Sequence, residues 1–207
     1  GTDVYVAGIP AYSTLGWYDD PLFSSMLHWS DDYLAGMLFH ELAHQQFYLA
    51  DDTAFNESFA SFVEREGLRQ WRASRGLPPP NETARAQYAD LSELALATRD
   101  RLAAIYASGL SDSAMRAAKR DEFMRMRQAY LQLRDGRWKG DDRFDRWMAQ
   151  PLNNASLVPF GLYEQWVPAF AALLEQVGGD WHRFYAEVAA LGRLPTDERE
   201  RRLNALR

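Results

Sequence analysis

The segment His40-Glu41-Leu42-Ala43-His44 constrains this chain more than any other five residues in it. It lies in a stretch with the marks of a helix. Ser30 offers a capping hydroxyl, Asp31 and Asp32 occupy the first turn where the helix dipole favours anions, and an apolar periodic run continues through Tyr48. On a helix, residues four apart lie about 40° from each other around the axis, so both imidazoles leave one face and can share one metal ion. Glu41 sits about 100° round from His40, where its carboxylate reaches a water activated by that ion without taking a coordination position. Leu38, Phe39, Leu42 and Phe47 surround the pair and predict a mostly dry helix. The plain alternative is two core histidines satisfied by hydrogen bonds.

Composition narrows the chemistry. The chain has no cysteine, which removes disulfide frameworks and thiolate chemistry and leaves His, Asp and Glu as the strong metal ligands. Its 207 residues, 47% hydrophobic and 25% charged, fit one globular domain rather than a disordered segment. Twenty-three basic against twenty-nine acidic residues, with no local basic cluster, argue against a nucleic-acid partner. No stretch approaches the roughly 18 apolar residues of a membrane-spanning helix, and none resembles a signal peptide. The chain starts at Gly1 without Met and runs at once into Val4-Tyr5-Val6, which reads as a boundary left by processing or by cloning, with any targeting signal expected on a segment upstream of it.

Catalytic zinc sites of this kind take three protein ligands and keep a fourth position for water. A second helix is expected after Asp51-Asp52-Thr53, running to about Arg75 with Phe55, Phe59, Phe62 and Glu66 on one stripe. Asn56-Glu57-Ser58-Phe59-Ala60 follows His44 closely enough for this helix to pass the first in the antiparallel sense, and small Ser58, Ala60 and Ser61 permit close approach. Glu57 is therefore the candidate third ligand. Glu64 competes, two turns along the same face; two turns are about 10.5 Å of rise, so both carboxylates cannot reach one ion. Whichever loses becomes a surface carboxylate or a partner of a ligand.

The remaining segments set the expected organisation. Residues 1–30 mix Gly8, Pro10, Gly16 and Pro21 with Val4, Tyr5, Val6, Ile9 and Trp17, which predicts one or two short strands. After Gly76 and Pro78-Pro79-Pro80, Asn81 caps a long periodic segment that ends at Gly109. Ser111 caps another that ends near Asp135-Gly136, predicting an antiparallel hairpin over 81–135. An irregular segment follows to residue 162, then helices near 163–177 and 180–191 and a last charged turn after Pro195. The expectation is a single domain, mainly α with a small β segment (α+β): strands and turns over 1–30, the metal-binding helix pair over 31–75, the hairpin over 81–135, and the irregular segment with C-terminal helices over 136–207.

HELAH followed by NESFA resembles the gluzincin metallopeptidases, whose third zinc ligand is the Glu of an Asn-Glu dipeptide on the next helix. More closely, Ala11-Tyr12-Ser13-Thr14-Leu15-Gly16-Trp17, then FHELAHQQFY, then DDTAFNESFASFVEREG, and later Asn153-Asn154-Ala155 with Tyr163, are similar to the bacterial putative aminopeptidase family over most of the chain. The resemblance implies a zincin-like fold, Zn2+ held by His40, His44 and Glu57, Glu41 as general base, and hydrolysis of a peptide substrate. Members usually carry an additional N-terminal part that often begins as a lipoprotein, which implies a lipid anchor upstream and a cell-envelope or periplasmic location.

Other roles rest on fewer residues. Peptide hydrolysis passes through an oxyanion, for which Tyr163 is the candidate donor and Tyr12 the second choice; a core tyrosine at a helix start is the plain alternative. Residues 12–18 offer a strand edge for the substrate backbone, or simply cover a core. Glu64, Asp19 and Asp20 are the carboxylates available to a substrate ammonium, whereas Asp51 and Asp52 read as caps of the ligand helix. His28 and His182 lack motif context and read as structural or surface residues. The rival function is a non-catalytic metal-binding or scaffold protein of the bacterial cell envelope that keeps the helix pair.

Overall fold

A computed structural model describes residues 3–6, 14, 18, 22–160 and 165–207. Among these the regular structure is helical: α1 (Asp31–Gln46), α2 (Thr53–Ser74), α3 (Thr83–Ala107), α4 (Asp112–Gln132), α5 (Asp145–Met148), α6 (Val167–Gln176), α7 (Trp181–Gly192) and α8 (Thr196–Ala205). The described part of residues 1–30 contains no strand: Asp3–Val6 lie outside regular structure and Ser24–His28 form a 3-10 turn. The rest of the expected β segment, including most of the proposed edge at 12–18, falls outside the described residues. No described helix is long and apolar enough to cross a membrane.

The chain divides into two compact units, one of Gly1–Gly8 with Asn81–Gly161 and the other of Ile9–Pro80 with Leu162–Arg207. The second unit carries the HELAH segment. The caps act where the sequence predicts them: Ser30 Oγ accepts the Tyr33 N–H at 3.3 Å, and Asp52 Oδ1 accepts the Phe55 N–H at 3.0 Å. α1 and α2 run antiparallel and meet along their length. At the far end Arg72 Nη1 donates to Asp32 Oδ1 at 2.6 Å. Nearer the middle, the Phe39 ring lies on Gly67, where an added Cβ would meet it at 2.9 Å. At the near end the buried Asn56 side chain bonds back to Leu49 and closes the α1–α2 loop.

α2 is anchored from behind by α6 and α7. Phe55 and Phe59 meet Phe170 edge-on with ring centroids 5.2 and 5.8 Å apart, and Phe59 stacks on Phe184; all four rings are fully buried. Complete burial of such a side chain stabilises by about 1.5–3 kcal/mol, so this aromatic block fixes α2 firmly. The charged stretch after Pro195, expected to be a turn, is instead the ten-residue helix α8. Leu203 is buried on the core, and the buried Arg199 guanidinium donates to Asp52 Oδ2 at 2.6 Å and to the Leu194 carbonyl at 2.9 Å. α8 thereby braces the residue that caps α2.

In the other unit α3 and α4 form the expected antiparallel hairpin, with Ser111 Oγ accepting the Ala114 N–H at 3.4 Å. Asn81 Oδ1 accepts the Thr83 N–H at 2.9 Å. Leu91, Leu102, Met126 and Tyr130 are buried between the two helices and the segment that follows them. α4 ends at Gln132 and a π-helical turn, Leu133–Arg137, carries the helical path to the expected end near Asp135-Gly136; the irregular stretch beyond it includes short α5 and a 3-10 turn at Asn154–Leu157.

Candidate metal centre

His40 and His44 stand one turn apart on the face of α1 that meets α2, and Glu57 projects toward them from the second turn of α2. His40 Nε2 lies 3.4 Å from Glu57 Oε2, and His44 Nε2 lies 3.7 Å from Glu57 Oε1. The two imidazoles are nearly perpendicular, at 79°, with centroids 5.0 Å apart. One ligand atom from each of the three residues lies within 4.8 Å of the other two, and no other such trio of His, Asp or Glu gathers among the described residues.

These separations bear on what the cluster suits. They exceed the roughly 2.7–3.2 Å of a good N–H···O hydrogen bond. They approach the roughly 3.3–3.4 Å edge of a tetrahedron whose corners lie about 2.0–2.1 Å from a central ion. Two imidazole nitrogens and one carboxylate oxygen also form the donor set of three-ligand sites for a divalent transition ion.

Electrostatics divides the two histidines. Burial opposes a charge on His40, but the carboxylates of Glu57 and Glu64, one at each ring nitrogen, outweigh it and push the pKa up to about 9. Burial also disfavours charge on His44, and the neighbouring charge on His40 adds to this, so His44 is held below the ordinary range. The His44 side chain is buried and, among the described residues, its Nδ1 has no hydrogen-bond partner. Leaving such an atom unsatisfied costs about 1–3 kcal/mol. The exposed Tyr48 ring packs edge-on at 6.3 Å from the His44 ring and borders the cluster.

Glu57 and Glu64 thus take different places. Glu57 faces both imidazoles, whereas Glu64 Oε2 lies 3.2 Å from His40 Nδ1, on the side of the ring away from the cluster. Glu41 is half-buried on α1 beside the trio without belonging to it. Asp52 caps α2 as expected. His28 and His182 are exposed and stand outside the cluster. Tyr163, Tyr12, Asp19 and Asp20 lie outside the described residues. Sequence reasoning missed the roles of Asn56, Gly36 and Gly67. A glycine inside a helix pattern is a local cost and therefore a signal of close packing, and both glycines carried it.

Comparison with protein families gives one decisive match. The model of the family described as "Putative aminopeptidase" covers residues 1–203. The chain belongs to that family. No curated protein and no solved structure matches it. In this family member the matched region contains α1, α2 and the whole His40, His44 and Glu57 cluster.

Proposed function

We propose that this chain is a zinc-dependent peptide hydrolase, an aminopeptidase of the HExxH gluzincin type with a zincin-like helix pair at its centre. The observation that carries the reading is that the Nε2 atoms of His40 and His44 both face the two oxygens of one carboxylate, Glu57, at ligand-like spacing. Membership of the family supports the peptide substrate. When held by His40, His44 and Glu57, zinc supplies the Lewis acidity that activates a water near neutral pH and polarises a peptide carbonyl.

The chain's own residues handle the proton. Glu41, one residue past His40, accepts the proton that the attacking water gives up and delivers it to the amine nitrogen as the peptide bond breaks. Tyr163 donates a hydrogen bond to the carbonyl oxygen as it becomes negative.

The test is metal content and cleavage on the same preparation. Purified protein should carry one zinc per chain and remove residues from members of a broad peptide mixture, and a chelator should abolish cleavage until zinc is restored. Stoichiometric zinc with no cleavage of any peptide would favour the rival metal-binding scaffold. Protein with no affinity for zinc would end the proposal.

A further inference from the structure

We propose that Glu64, seated in the gap that Gly36 leaves on α1, is a positioning residue that holds the His40 ring by Nδ1 so that Nε2 is presented to Glu57 and His44. The inference rests on the reading of His40, His44 and Glu57 as metal ligands and deepens it. An imidazole can meet an ion through either of its two ring nitrogens, and the hydrogen bond made by one nitrogen decides that the other is used. His40 Nδ1 lies 3.2 Å from Glu64 Oε2 while its Nε2 lies 3.4 Å from Glu57 Oε2. An ionised carboxylate only accepts, so Nδ1 must carry the hydrogen and Nε2 is left as the donor to metal. Glu57 and Glu64 are seven residues apart on one face of α2, and His40 is held between them.

Gly36 makes the arrangement sterically open. It is buried one turn before His40, on the same face of α1, and a Cβ placed there would lie 3.4 Å from Glu64 Cγ and 3.5 Å from Glu64 Oε1. A methyl group would just touch the glutamate; any longer side chain would occupy the carboxylate's place. A glycine in a helix interior is unfavourable in itself, and here the space it leaves is filled by Glu64. Among the described residues His44 has no equivalent support, since its buried Nδ1 meets no hydrogen-bond partner there. The orienting hydrogen bond serves one histidine of the pair.

The experiment compares the parent with Glu64→Gln, Glu64→Ala and Gly36→Leu. Zinc affinity is measured by competition with a chelating dye, and the His40 ring protons are followed by NMR on protein carrying 15N-histidine. Affinity should fall about tenfold in Glu64→Gln, which keeps an acceptor, and toward a hundredfold in Glu64→Ala. Gly36→Leu, a better helix former, should weaken zinc as Glu64→Ala does; if it fails to fold, the two Glu64 variants decide. The His40 Nδ1 proton should lose its hydrogen-bonded shift in Glu64→Ala while the His44 resonances stay in place. Glu64→Ala with parental zinc affinity and an unmoved His40 Nδ1 proton overturns the proposal. Should the parent itself bind no zinc, the metal reading fails separately. The positioning claim then stands if Glu64→Ala still shifts the His40 Nδ1 proton in the metal-free protein, and falls if it does not.

Discussion

Asn56 holds Leu49 by two hydrogen bonds at once, its Oδ1 accepting the Leu49 N–H at 2.8 Å and its Nδ2 donating to the Leu49 carbonyl at 2.7 Å. The pair closes the turn between the helix of the histidines and the helix of Glu57, and it gives the Asn-Glu dipeptide a division of labour. Asn56 fixes where α2 begins relative to α1, and Glu57 uses that placement. Asn56 is fully buried, so Asn56→Ala leaves two backbone groups without partners as well as a small void. The expected loss is about 2–4 kcal/mol, read as a lower urea midpoint with an unchanged slope, together with weaker zinc binding. Parental stability in Asn56→Ala would mean that other contacts hold the turn.

Glu41 and Glu57 should separate cleanly when each is substituted. Glu41→Gln preserves shape but cannot take a proton, so peptide cleavage should drop by about 10²–10⁴-fold while zinc content stays at the parental level. Glu57→Ala removes one of three proposed ligands and should lose zinc on dialysis. Full activity in Glu41→Gln would dismiss Glu41 as the base.

The parts of this architecture that the sequence discloses are those governed by neighbours along the chain. The caps Ser30, Asp52 and Ser111 and the helical spacing of His40 and His44 are signals within a turn or two, and each lies in the element predicted for it. The competition between Glu57 and Glu64 could not be settled that way, because both share one face of α2. Only the offset of α2 along α1 separates them, and that offset is set by Asn56 and by the glycine contacts Gly36 to Glu64 and Gly67 to Phe39. α8 was hidden for a similar reason. Its residues are strongly polar, and it is fixed by an ion pair from Arg199 to Asp52, 147 residues earlier.

Protons and metal should compete for His40. Its pKa is raised to about 9 because Glu57 and Glu64 overcome the effect of burial, so the metal-free protein at pH 7.5 carries a proton that an incoming ion must displace. Calorimetry in buffers of different ionisation enthalpy should show about one proton released per zinc bound at that pH, with affinity rising toward pH 9. The sign for stability is the reverse. A histidine whose pKa is raised on folding stabilises fully below its unfolded value near 6.5, and that contribution fades as pH rises to about 9. His44, held low, works against stability as pH falls below the same 6.5. Zinc binding without proton release near neutrality would contradict the charged state assigned to His40.

Gly192 offers a test of how rigidly the end of α1 is held. A Cβ at this position would lie 2.4 Å from Phe47 Cζ and 3.3 Å from two further ring atoms. The residue is not among those with positive φ, so space rather than backbone conformation demands glycine here. Gly76 is the opposite case, at φ +67 with no atom of the described residues within 4 Å of a would-be Cβ. Phe47 cannot swing aside freely, because its ring also meets Phe55 and Phe59 edge-on at 5.9 and 6.2 Å. Gly192→Ala should therefore cost about 1–3 kcal/mol by overpacking, although alanine is the better helix former. Phe47 follows His44 by three residues, so the displaced ring should also weaken zinc binding. Phe47→Leu shortens the side chain, and the double variant with Gly192→Ala should be less destabilised than the sum of the two single variants. Urea titration of the four proteins measures that coupling, and strict additivity would show that the two residues do not press on each other.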